Sequence, residues 1–468
     1  MTVLAVMASM TCLFVSREGQ TNDLAITGWT ATLDGQPCAL KRGERHFVDH
    51  VFDRGWVFDG IDCLERHEAE LSATFTAPED GVVAAGLTGD WFYDLSVDGK
   101  QVFSTGEKGN GTSELAFWNN TAEFPVAKGV HRLDVRLRNG MGGMMFAIGK
   151  PESAPVRAAN PIGIGDFRAA YRRLWARSNP LSRNDPERLA DLATIQRGID
   201  MTGGDDFCRF VETGEFDPVK SPALDMINAA IDRILAEVPK EKVAPGTVVA
   251  WYLYNMGFVV KTSGGTVFAV DLYAPRCVEL AAICDFALVT HNHPDHAHLP
   301  FVAAMQSKGG FLRGKPVVSS FLYTRHFARS PKTFRFGDCM VETGVSDHNP
   351  HWKESVTPFR VTCGEGADAV TVVHAGDGWD GRQLAHFAPT DVAIVHVWPY
   401  DGHNGADTAA ALKPGLLVLA HHQEMSHGFG IARFSFERTE REAARVKDAG
   451  AVVYPVWGEK MIWRTRSR

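Results

Sequence analysis

None of the eight cysteines belongs to a Cys-x-x-Cys pair. Cys12, Cys38, Cys63, Cys208, Cys277, Cys284, Cys339 and Cys363 are scattered, which excludes a zinc ribbon and speaks against a disulfide framework. Buried free thiols are expected instead. The chain also lacks an apolar run of the ~20 residues that a membrane-spanning helix needs, so no integral membrane segment is expected. Dense runs of Lys and Arg are missing too. With 48 Lys+Arg against 56 Asp+Glu and a net charge of −8, nothing draws the chain to phosphate backbones. Nucleic acid is therefore not an expected partner, and a small-molecule substrate is. Val3 to Val15 is apolar enough for the core of a secretory leader, but no Lys or Arg precedes it and no small-x-small site follows. The expectation is a cytoplasmic protein, with secretion as the alternative; oligomeric state is not legible.

What is present fits a large chain with more than one core, since 468 residues exceed what one core usually supports and 45% of them are hydrophobic. From about 20 to 150 short strands alternate with Gly, Asp and Asn turns. Leu71, Ala73 and Phe75 alternate with polar neighbours, as do Leu133, Val135 and Leu137, the period of half-buried strands. Asp98-Gly99 is a hairpin turn between Leu95-Ser96-Val97 and Gln101-Val102-Phe103. Residues 1–152 are accordingly read as a β-sandwich.

From 153 to 245 the period becomes helical. Phe167, Ala170, Tyr171, Leu174 and Trp175 form one stripe, and Asp185-Pro186 supplies a cap and first-turn proline ahead of Leu189, Leu192 and Ile195. Ser221-Pro222 opens another helix, with Leu224, Ile227, Ile231, Leu235 and Val238 on its apolar face. This segment reads as a helical connector without chemistry of its own, with Arg172 and Arg173 in solvent.

Residues 246–468 carry the chemistry. Strand patterns at Thr247–Tyr252, Gly257–Lys261 and Thr266–Asp271 lead to the apolar run Asp285–Val289, and directly after it comes Thr290-His291-Asn292-His293-Pro294-Asp295-His296. Three imidazoles and a carboxylate on one tight loop are the nitrogen and hard-oxygen mixture that borderline divalent ions prefer. One loop does not complete a metal site, and three later segments place His or Asp after strand-like runs. Val345 to His351 offers His348, preferred here to His351; Val370 to Asp377 ends in Gly376-Asp377; Leu416 to His422 ends in two histidines. His374, His396, His403 and His427 are expected beside the site rather than as ligands.

This ordered set resembles the signature of the metallo-β-lactamase superfamily over about Gly246 to the C-terminus, most nearly its ascorbate-phosphate-lactonase-like and N-acyl-phosphatidylethanolamine-phospholipase-like branch. The resemblance implies an α+β architecture, an αββα sandwich preceded by the N-terminal β-sandwich and the helical connector. It also implies a ligand set of His291, His293 and His348 for one ion and Asp295, His296 and His421 for the other, with Asp377 bridging and Asp271 as buttress. His421 is preferred to His422 because of the Lys413-Pro414 lead-in, although Leu419 stands where the family commonly has proline. Separately, Asp90 to Lys100 and Lys128 to Val135 are similar to galactose-binding-like jelly-roll modules. Trp91, Phe92 and Trp118 are then either sugar platforms or, as aromatics on strands more often are, core.

Two bound cations bring a shared water toward neutral pKa, and Asp295 is the residue assigned to accept a proton or orient the nucleophile. The expected cofactors are two divalent ions, zinc first, with manganese or iron as alternatives. His403 and His422 are assigned to the substrate pocket. The expected activity is hydrolysis of a small ester, lactone or phosphoester. The alternatives are a phosphodiesterase acting on lipid or nucleotide, and a non-enzymatic glycan-binding module with a structural metal.

Overall fold

The computed structural model describes residues 26–38, 41–42, 51–57, 68–89, 92–106, 120–138, 145–149, 162–177, 183, 185–307, 314–322, 324–348, 352–378, 380–397, 405–425 and 434–465. These fall into two compact units that part between 157 and 158.

The first unit consists of two antiparallel sheets. One has six strands in the order Gln36–Cys38, Ile26–Leu33, Glu68–Ala77, Gly129–Arg138, Phe92–Val97, Lys100–Ser104. The other has five, in the order Lys41–Arg42, Val51–Val57, Met145–Gly149, Gly81–Gly89, Asn120–Val126. Strict alternation buries every second residue, as in Glu68–Ala77 and Gly129–Arg138. The inward residues of both sheets, Leu71, Phe75, Leu95 and Leu133 from one and Val83, Leu87, Phe124 and Phe146 from the other, form a single apolar cluster. The Asp98-Gly99 turn has φ of 50° and 77° at its two central residues, the mirror-image turn whose twist matches its flanking strands. Phe92 is half-buried beneath the Arg138 guanidinium, 4.9 Å from its ring centroid. Trp91 and Trp118 lie outside the described residues.

The second unit holds two seven-stranded sheets. The first runs His326–Phe327, Val317–Ser319, Phe286–Leu288, Val267–Val270, Phe258–Thr262, Thr247–Tyr252, Lys460–Arg464. The second runs Thr333–Phe336, Cys339–Thr343, Phe359–Cys363, Val370–His374, Val392–His396, Leu416–Ala420, Ala451–Val453. Each is antiparallel over one half and parallel over the other. The inner strands Phe286–Leu288, Val370–His374 and Val392–His396 are mainly apolar and buried along their whole length, as strands covered on both faces must be, whereas Cys339–Thr343 and Phe359–Cys363 alternate. Cys277, Cys284, Cys339 and Cys363 are buried free thiols and Cys208 is an exposed one.

Helices Ile164–Ala176, Pro186–Asp200, Gly204–Thr213 and Pro222–Glu237 contribute to the same apolar cluster as these sheets. Asp185 caps its helix by accepting from the amides of Glu187 and Arg188. That helix departs from the apolar stripe read from the sequence, because Leu189 is 42% exposed. Its buried face carries Arg188, Asp191, Leu192, Ile195 and Ile199. The guanidinium of Arg188 takes a core position by pairing with the buried Glu459 carboxylate and donating to the Tyr454 carbonyl at 3.0 Å. Leu192 and Ile195 are buried as the apolar stripe suggests, and at the first turn the buried place is held by the paired Arg188 and not by Leu189.

Candidate metal centre

Strands of both sheets end in turns that carry the His and Asp side chains of interest. After Val267–Val270 the chain bends at Asp271, whose φ of 45° ends the strand. The Asp271 carboxylate accepts from the Thr290 amide at 2.8 Å, the Thr290 hydroxyl at 2.6 Å and His296 Nδ1 at 2.9 Å. One buried carboxylate therefore fixes both ends of the His291–His296 loop and leaves His296 Nε2 as the inward nitrogen. Thr290 Oγ1 also lies 3.0 Å from His291 Nδ1. His291 Nε2 is buried and makes no hydrogen bond in the structure, so its lone pair is aimed at the cluster alone.

His348 follows Cys339–Thr343 and is shaped by the bridge between Ser346 and Val356. Beside it, Gln383 Oε1 accepts from the Ser346 hydroxyl and the Asp347 amide, each at 2.9 Å, while Lys353 pairs with Asp347 at 2.9 Å. Trp352 stands edge-on to both His293 and His348, with centroids 5.1 Å from each. Asp377 follows Val370–His374 through Gly376, whose φ is 56°. There His374 is not a ligand candidate: its Nε2 donates to the Met256 carbonyl at 3.0 Å and its Nδ1 accepts from the Gly376 amide at 3.2 Å, fixing the turn before Asp377. His421 follows Leu416–Ala420 with φ of 59°.

These turns bring seven side chains into two groups, His291, His293, His348 and Asp377 in one, and Asp295, His296 and His421 in the other. Within each group one potential ligand atom per residue lies within 4.8 Å of the rest. Asp377 sits at the junction. Its Oδ2 is 3.5 Å from His348 Nε2, 3.7 Å from His291 Nε2 and 3.4 Å from His421 Nε2, while Oδ1 is 3.3 Å from His296 Nε2. Asp295 Oδ2 lies 3.3 Å from His421 Nε2 and 3.5 Å from His296 Nε2. Six of the seven are buried, and His293 is half-buried.

Electrostatics reflect this density of inward nitrogens and carboxylates. Burial by itself raises the Asp377 carboxyl, but the His296 and His421 imidazoles outweigh it and hold it well below the usual range. Burial likewise works against protonation of His421, yet Asp377 and Asp295 push it up to about 10. His296 is raised by Asp377, Asp295 and Asp271 against the same desolvation. In the other group burial dominates, lowering His291 well below its ordinary value and His293 to about 4. Imidazoles kept neutral by burial at His291 and His293, and imidazoles held by carboxylates at His296 and His421, are a donor set that divalent cations satisfy.

The structure does not bring His422 to this cluster. Expected to meet substrate, its ring is instead buried among Tyr252, Phe436 and Tyr454, with centroids 5.7, 5.6 and 6.4 Å away, and burial lowers it to about 3. The strand ends at Ala420 and the backbone turns at His421, whose φ is 59°, so the adjacent histidines take different surroundings. His396 is buried beside the cluster with Nε2 3.1 Å from the Gly378 carbonyl. His351, His403 and His427 lie outside the described residues.

Sequence reading missed Asn255 and Trp352. Asn255 is fully buried, and its Nδ2 donates to Asp295 Oδ2 at 2.8 Å. The available signal was an Asn in a short Tyr-Asn-Met-Gly turn between two apolar strands, where Asn tolerates positive φ.

No family model matches the chain, and no curated protein matches it in sequence. Among solved structures, the chain is similar to Igni18, a metallo hydrolase from the archaeon Ignicoccus hospitalis, at 16% identity over 47% of this chain and 100% of that one, with a TM-score of 0.36. A Cronobacter sakazakii metallo-β-lactamase motif mutant aligns at 15% identity over 32% of this chain and 75% of that one, with a TM-score of 0.24. A Kluyveromyces marxianus β-glucosidase aligns at 14% identity over 31% of this chain and 18% of that one, with a TM-score of 0.20. At these scores the likenesses carry no argument about activity, which rests on the site itself.

Proposed function

We propose that the protein is a metal-dependent hydrolase of the metallo-β-lactamase type, holding two divalent ions. His291, His293 and His348 would bind one, Asp295, His296 and His421 the other, and Asp377 would lie between them. The observation that carries this reading is convergence: seven donors from four turns, far apart in sequence, point their ligand atoms into one buried space. Five imidazoles and two carboxylates favour zinc, with manganese and iron as the alternatives. When bound, such ions supply Lewis acidity and lower the pKa of water toward neutrality. The chain's own part is positional. Asp271 fixes the tautomer and direction of His296, His374 sets the turn that presents Asp377, and Trp352 walls the space beside His293 and His348. Asp295 is the carboxylate assigned to steer or accept a proton during attack on a small ester, lactone or phosphoester. For the first unit, a galactose-binding-like role remains the proposal that its sequence suggested.

The test is elemental analysis of protein purified without added metal, followed by chelation and hydrolysis screens on lactones, phosphodiesters and phosphomonoesters. Two ions per chain are expected, with activity lost on chelation and restored by zinc. Protonated imidazole has no lone pair to donate, and His421 is held up to about 10 in the metal-free protein. Metal affinity should therefore keep rising with pH above 7, whereas ordinary histidines would give a plateau there. Protein that takes up no zinc at saturating concentration would refute the proposal.

A further inference from the structure

We infer that Asn255 is a positioning residue for the second of the two proposed ions, locking Asp295 and His421 against one another from a turn that provides no ligand. The inference rests on the two-ion reading above. Asn255 lies in the turn between Thr247–Tyr252 and Phe258–Thr262, fully buried and with φ of 56°. Its side chain and its backbone reach different ligands. Nδ2 donates to Asp295 Oδ2 at 2.8 Å and lies 3.5 Å from His296 Nε2, while its carbonyl accepts from the His421 amide at 3.0 Å. All three donors of the second group thus meet this one residue.

The chemistry calls for an amide here. An aspartate at the same place would set a second carboxylate against Asp295, whereas Nδ2 of asparagine only donates. His421 has left the strand, with φ of 59°, so strand pairing no longer directs its ring and the bond from its amide to Asn255 does. The turn is itself held from several sides. The Tyr252 hydroxyl donates to the Asn255 carbonyl at 2.7 Å, and the Tyr254 hydroxyl donates to Glu424 at 2.7 Å. A Cβ on Gly257 would stand 2.8 Å from the Tyr254 carbonyl oxygen and 3.2 Å from that of Asp271, so the chain passes too close there for any other residue.

Asn255→Gly tests the idea, because glycine accepts the left-handed backbone and deletes only the amide. Zinc binding would be measured by chelator competition on the full chain, with the two binding steps assigned from His293→Ala and His421→Ala, and cobalt spectra recorded for each protein. Asn255→Gly should weaken the second step roughly 10- to 100-fold, leave the first unchanged and alter only the second-site cobalt bands. Wild-type affinity at both steps, or equal weakening of both together with a lowered Tm, would overturn the inference. Should Asn255→Gly fail to fold, Tyr252→Phe keeps the ring and removes the hydroxyl behind the Asn255 carbonyl. It should weaken the second step alone by about 2- to 10-fold, and unchanged binding would overturn the inference. Wild-type protein that binds fewer than two ions refutes the two-ion reading itself, and this inference falls with it.

Discussion

His421 and His422 are consecutive imidazoles placed in opposite surroundings. His421 faces two carboxylates at 3.3 and 3.4 Å, and His422 faces three aromatic rings. Their substitutions should therefore fail in different ways. His421→Ala removes a donor from the second group, so it should lose one of two ions with little loss of fold. His422→Ala opens a cavity in a packed aromatic region, which costs about 2–4 kcal/mol by analogy with other large-to-small core changes, and should keep both ions. Denaturant unfolding beside elemental analysis separates the outcomes. Loss of metal from His422→Ala at unchanged stability would contradict this arrangement.

At the level of elements, both sheets of the second unit share one pattern of antiparallel and then parallel pairing; three of the four ligand turns follow Phe286–Leu288, Val370–His374 and Leu416–Ala420, which have parallel neighbours, and the fourth, that of His348, follows the antiparallel strand Cys339–Thr343. Residues with positive φ gather at these strand ends: Asp271, Gly376, His421 and, in the turn facing them, Asn255. Stopping a strand abruptly frees the next side chain to turn inward, and strain at such positions is tolerated where surrounding contacts over-determine it. Gly376 is the sharpest case. A Cβ there would lie 2.8 Å from Thr290 Cβ, in addition to the left-handed backbone. Gly376→Ala should cost about 1–2 kcal/mol from the backbone alone, with more from the clash, and should push apart Asp377 and the His291 loop. Calorimetry is expected to show a lowered Tm together with weaker binding of both ions. Retention of two tight ions would show that the turn relaxes without moving Asp377.

For the whole molecule, all seven candidate ligands found among the described residues, and Asn255 with them, fall in the second of the two units. The four helices ahead of the sheets belong to that unit's apolar cluster, with Trp175 Nε1 donating to the Trp457 carbonyl at 2.8 Å. A chain shortened to begin at Ala158 should thus keep its core and bind two ions. Metal analysis of the folded truncation checks this, and absence of bound metal would mean that the first unit supplies part of the site.

The sequence by itself determined the elements and the His-rich loop, because period-two alternation, buried apolar runs and closely spaced ligands are local patterns that the backbone expresses directly. Asp98-Gly99, the cap at Asp185 and the cluster from His291 to His296 were all legible on that basis. Only the tertiary structure decided which distant turns meet that loop. His421 and His422 were placed apart by where the strand ended and which way each side chain then faced. The ion pair of Arg188 with Glu459 and the grip of Asn255 on Asp295 depend on partners 271 and 40 residues away in the sequence. A one-dimensional pattern reports what a residue prefers locally, whereas these positions were settled by which partner compensated a charge or an amide once it was buried.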